Sequence, residues 1–133
     1  MVSFYDVYVD RLMSLHNDYK KAIEGLSVEA LDWVPGPEMN SLCVMIVHAT
    51  AVERFMVGDM SAHINSNRVR ASEFQVKGMD EAALIQRLDD TLAFVHETVS
   101  KFTLADLEAE RDIPAGGNRP ATTLDKLSVA WAM

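Results

Sequence analysis

Four histidines are the side chains best suited to chemistry: His16, His48, His63 and His96. No two of them stand three or four residues apart, so no single helix can present a pair of imidazoles on one face. Around His48 the positions that share its helical face are Val44, Ala51, Val52 and Phe55, and none of these can coordinate a metal. Glu53 falls five positions on, about 140° around a helix of roughly 3.6 residues per turn, which makes it a poor co-ligand. A metal at His48 would therefore need donors from other helices, as metal sites in bundles usually have. Imidazole suits zinc, nickel, copper or iron. The competing reading is a hydrogen-bonded histidine in an apolar core, and spacing alone leaves both open. His16 and His96 lie beside apolar stripes and read as structural. His63 falls near a helix end, where a cation is favoured, and reads as a surface residue.

Other familiar chemistry is missing from the sequence. There is no nucleophile elbow, P-loop, HExxH or CxxC. The lone Gly116-Gly117 lacks the spacing of a phosphate-binding loop. No carboxylate pair is marked for acid–base work, and no residue is marked as a general base. Cys43 is the single cysteine, which excludes an internal disulfide, and its apolar neighbours make it a small buried hydrophobe. The eight methionines read as core filler. Arg68, Arg70 and Lys77 form the one basic patch, read as a solvated loop. Arg54 reads as a surface ion-pair partner, with anion binding as the alternative.

The elements that would position these residues follow from periodicity. The organising stretch is 40–59, NSLCVMIVHATAVERFMVGD, which is apolar on nearly every face and so predicts a buried helix. Asn40 or Ser41 would cap it, and Gly58 permits a bend or stop near its end. Before it, residues 4–26 predict a helix whose inward stripe is Tyr8, Leu12, Leu15, Tyr19, Ala22 and Leu26, capped by Ser3 and ended near Gly25. Residues 27–31 predict a short helical turn. Trp33-Val-Pro-Gly-Pro must be extended, because each proline pushes its predecessor out of the α region; Trp33 is expected to plug one end of the core. Residues 61–78 predict a loop. Asp80 caps a third helix over 81–102 with stripe Leu84, Leu88, Leu92, Val95, Val99 and Phe102. A short turn at 104–107 and an extended 110–113 follow. Thr122 or Thr123 caps a fourth helix, with Asp125 in its first turn and Leu124, Leu127 and Trp131 inward. That helix is about half as long as the others and meets no stop signal before Met133. The expectation is a truncated chain, or another element covering the gap.

Four amphipathic helices without a strand pattern predict an all-α four-helix bundle, its fourth helix incomplete. A chain of 133 residues suits one domain, here 1–133. Its net charge of −8, from 12 basic and 20 acidic residues, argues against nucleic acid and anionic membrane surfaces as partners. Asp6 and Asp10 interrupt the N-terminus, so it does not read as a signal peptide, and a cytoplasmic location is expected.

Three stretches together resemble the DinB-like family of metal-binding four-helix proteins. They are Leu31-Asp-Trp-Val-Pro-Gly-Pro, then Asn40-Ser-Leu, then His48-Ala-Thr-Ala-Val-Glu-Arg-Phe. The later segments 67–74 and 123–133 resemble its actinobacterial-type members. Each piece is weak alone; their order along nearly the whole chain carries the likeness. The resemblance implies an up-down-down-up bundle forming a homodimer. It implies a divalent metal, zinc or nickel, held by one histidine of the second helix and two residues of the fourth. His48 matches the first of these. The other two positions would fall beyond Met133, which leaves a longer protein, a second chain supplying the turn, or a product without the metal site. Relatives implied by the resemblance are mycothiol- or bacillithiol-dependent transferases and maleylpyruvate isomerase. The expected function is therefore that of a metal-dependent, thiol-using transferase or related hydrolase. The alternative is a non-enzymatic bundle that binds a partner or small ligand without metal.

Overall fold

The computed structural model describes residues 2–113 and 122–124. Helix α1 spans Ser3–Ile23 and the short α2 spans Val28–Asp32. Helix α3 spans Leu42–Arg54 and runs on without a break into a π-helical stretch, Phe55–Ser61. A single turn, α4, covers Arg70–Glu73, and α5 covers Glu81–Val99. A 3₁₀ turn at Leu104–Leu107 leads to a ribbon of two antiparallel strands, β1 (Arg111–Ile113) and β2 (Thr122–Leu124).

Local chemistry explains the boundaries. Ser41 Oγ accepts from Val44 N–H at 3.1 Å, and Asp80 Oδ1 accepts from Ala83 N–H at 2.8 Å, so both long helices start where the capping residues predict. Helix α1 ends at Ile23, and two residues on Gly25 takes φ +73°, the left-handed conformation glycine adopts without penalty. Its start differs from expectation: Ser3 is already helical, and Val2 is the N-cap, without a side-chain cap bond.

Helix α5 packs against both α3 and α1, while α2 and α4 sit on α3. The apolar core falls into two large clusters and a small one of Met60 with Phe55 and Met56. One large cluster gathers Tyr5, Val9, Leu12, Val57, Val95 and Val99. The other gathers Ile23, Leu31, Cys43, Ile46, Val47, Leu84 and Leu88. Along each long helix a buried polar residue falls between members of the two sets: His16 on α1, Thr50 on α3 and Thr91 on α5. The core is thus two apolar halves separated by a polar belt.

Several expectations are corrected. The inward stripe of α1 is Tyr5, Val9, Leu12, His16 and Ile23. The predicted stripe shares only Leu12 with it; Leu15 and Ala22 are exposed and Tyr8, Tyr19 and Leu26 half-buried. Two apolar stripes lie about 100° apart on this helix, one residue step, and α5 takes the other one. Trp33 does not plug the core: it is 66 % exposed, and Leu31 fills that position. The extended Trp33-Val-Pro-Gly-Pro carries the ring outward once α2 has delivered Leu31. Helix α3 is not buried all round either, since Met45 is exposed and His48, Ala49, Ala51 and Val52 are half-buried. Thr122–Leu124 is strand rather than the start of a fourth helix. Two adjacent threonines, stiff at Cβ, favour the extended backbone. The rest of the expected fourth helix, with Asp125, Leu127 and Trp131, and the Gly-Gly loop before it, lie outside the described residues. No helix among the described residues is long and apolar enough to cross a membrane.

Candidate functional site

His48 sits midway along α3, its side chain one-third exposed, facing the α4 turn. Its Nδ1 lies 3.4 Å from Glu73 Oε2, and its ring packs on Phe74 with centroids 4.9 Å apart. A carboxylate only accepts, so Nδ1 is the donor in this contact; in the neutral ring the lone pair is then on Nε2, which makes no hydrogen bond to a described residue. The arrangement is a carboxylate–histidine pair of the kind that fixes a ligating imidazole's tautomer and direction.

Glu73 is itself held firmly. It is 5 % exposed, and Arg68 grips it with two nitrogens, Nε to Oε1 at 2.8 Å and Nη2 to Oε2 at 3.0 Å. That bidentate fork compensates the buried charge. Arg68 is aimed inward by a specific turn. Asn67 adopts φ +53°, a conformation asparagine tolerates, and its N–H donates to Asn65 Oδ1 at 2.9 Å. Ser66 is tied to Asp59 through both its N–H and its hydroxyl. The supposed solvated basic loop is therefore split: Arg68 turns in as a structural ion pair, while Arg70 lies over Phe74 at the surface.

Beside Glu73 opens a cleft of about 340 Å³ lined by Ala51, Arg54, Ser66, Arg68, Val69, Ser72, Glu73 and Arg87. Arg87 reaches it from α5. Its Nε donates to Thr50 Oγ1 at 2.6 Å and its Nη2 to the Val47 carbonyl at 3.2 Å. Burial, and then the neighbouring charge of Arg54, lower the Arg87 pKa. Arg54 makes no ion pair among the described residues, so the surface pair expected for it is not found; its guanidinium stacks over Phe94 at 4.6 Å. Phe94 can come that close to the helix because Gly58 has no side chain, since a Cβ there would stand 2.9 Å from the ring.

A separate cluster lies in the polar belt. His16, fully buried, bonds through Nε2 to Glu53 Oε2 at 2.8 Å, while its Nδ1 has no partner among the described residues. Burial and the adjacent Glu53 push the Tyr8 hydroxyl pKa up to about 12. Glu53 turns to His16 and not to His48, as its angular position on the helix requires. His63 and His96 are exposed and belong to neither cluster. The signal for His16 was present in the sequence: it continues the 5-9-12 spacing of the true α1 stripe.

Among the described residues no three histidine, cysteine, aspartate or glutamate side chains converge as a metal-binding group. His48 has the donor chemistry of a ligand, but the described residues supply one such donor and not a complete coordination shell. A metal held there needs further donors from residues outside those described.

No curated protein and no solved structure shows a significant match to the chain. The family model of the DinB superfamily matches residues 12–132, a range that takes in α1 from Leu12 onward, the whole of α3 with His48, and α5. A match over nearly the whole length of an all-helical chain decides the family: the chain belongs to the DinB superfamily.

Proposed function

We propose that this protein is a divalent-metal-dependent member of its superfamily, with His48 Nε2 as one ligand and an S-transfer or hydrolytic reaction at the metal. The observation that supports the reading is the buried Glu73 carboxylate behind His48 Nδ1, itself locked by Arg68. Unlike His16, which is wholly buried on its own carboxylate, His48 keeps a third of its side chain exposed, so a ligand can reach its ring. When bound, a zinc or nickel ion supplies Lewis acidity, stabilising a thiolate or a hydroxide at neutral pH. The chain's own residues do the positioning. Glu73 keeps the proton on Nδ1 and directs the lone pair of Nε2 outward. Phe74 limits rotation of the ring and keeps water from one face of it.

The test is metal content and zinc or nickel titration of the purified protein beside His48→Ala and Glu73→Gln. The expected outcome is loss of metal in His48→Ala and a 10–100-fold weaker affinity in Glu73→Gln, the range typical when a ligand's backing partner is removed. Equal metal content in wild type and His48→Ala removes His48 from any site. A wild type that takes up no metal turns the reading to a bundle that binds a small ligand without one.

A further inference from the structure

The cleft beside Glu73 carries a charge balance unlike the rest of the molecule. The chain as a whole is strongly acidic, at −8. Yet this cleft gathers three guanidiniums, Arg54, Arg68 and Arg87, against the single carboxylate of Glu73. Arg68 consumes that carboxylate in its bidentate pair. Arg54 and Arg87 then face the same space with no carboxylate of their own among the described residues.

Both side chains are half-buried; Arg87 feels the Glu73 carboxylate, but neither arginine makes an ion pair of its own among the described residues. Arg87 spends one N–H on Thr50 and one on the Val47 carbonyl. A guanidinium has five N–H donors, so most of its fork remains available. Arg54 is propped by the Phe94 ring, which holds the cation without neutralising it. Two like charges brought together in a partly desolvated cleft repel, and an anion between them removes that cost. Ala51 and Val69 add an apolar wall.

We propose that this cleft is a binding site for a small organic carboxylate, its oxygens gripped by the forks of Arg87 and Arg54 and its carbon body lying on Ala51 and Val69. The planar fork matches a carboxylate bidentately. The volume of about 340 Å³ lies at the small end of ligand pockets and is enough for a compact acid. The site needs no metal and does not rest on the role given to His48.

The experiment is calorimetric or NMR titration of the full chain, before and after chelator treatment, with sodium benzoate, sodium succinate and sodium phosphate at matched ionic strength. Variants are Arg54→Gln and Arg87→Lys, with Lys77→Gln as a control outside the cleft. Circular dichroism establishes that each is folded. The expected result is saturable binding of benzoate or succinate, unchanged by the chelator and by Lys77→Gln. Folded Arg54→Gln or Arg87→Lys should bind at least tenfold more weakly. No saturable binding by wild type, equal binding by the folded cleft variants, or binding of phosphate alone would each overturn the assignment. Loss of binding on chelation would also overturn it, by making the metal the anion's partner.

Discussion

At the scale of single residues, the polar belt holds the titration most open to measurement. Tyr8 stands half-buried beside Glu53, and its hydroxyl pKa is raised to about 12 from an ordinary value of 10. Because the folded-state value is the higher one, the unfolded chain releases the Tyr8 proton first as pH rises. The contribution to stability is whole below pH 10 and is lost as the pH climbs through about 12. Tyr8→Phe cannot ionise, so its urea midpoint should fall less steeply between pH 9 and roughly pH 11 than that of wild type. Equal slopes would mean that Tyr8 is not sheltered by the fold.

At the scale of elements, Gly58 and the Asn65–Arg68 turn decide which side chains reach the candidate site. Gly58 lies in the π-helical continuation of α3 and admits the Phe94 ring, on which Arg54 rests. Gly58→Ala should force the ring aside, cost about 1–2 kcal/mol in chemical denaturation, and weaken carboxylate binding by loosening Arg54. Unchanged stability together with unchanged binding would show that Phe94 is not a prop. The helices were largely legible from sequence, because Ser41, Asp80 and Gly25 punctuate them by local chemistry. The face of α1 was not, because two apolar stripes a residue apart compete and only the position of α5 chooses between them. His48 could be singled out by its apolar setting and by resemblance. Its carboxylate partner could not, since Glu73 lies 25 residues on in a segment without periodicity and is brought there by the left-handed turn at Asn67. The arginine cleft was illegible for the same reason: Arg54, Arg68 and Arg87 come from three elements, and only packing unites them. The two threonines of β2 were read as a cap; their pairing with β1 depends on a partner that periodicity does not reveal.

At the scale of the whole molecule, the bond from His16 to Glu53 is the side-chain hydrogen bond that joins α1 to α3 among the described residues. Its removal by His16→Ala would leave a half-buried carboxylate oxygen without its donor and a hole where the ring was. The expected cost is about 2–4 kcal/mol in urea unfolding, a large share of the stability of a domain this size. A loss below about 1 kcal/mol would mean that the bond is incidental.

The belt of His16, Thr50 and Thr91 gives the protein a polar waist within its close-packed interior. On either side of it, Tyr5 with its neighbours and Leu84 with its neighbours form separate apolar clusters, and the long helices run through both. Arg87 is fastened to Thr50 at that waist and also reaches into the cleft. A guest seated on Arg87 would therefore brace the joint between the clusters, and occupancy would be felt as sharper, more concerted melting of the entire bundle.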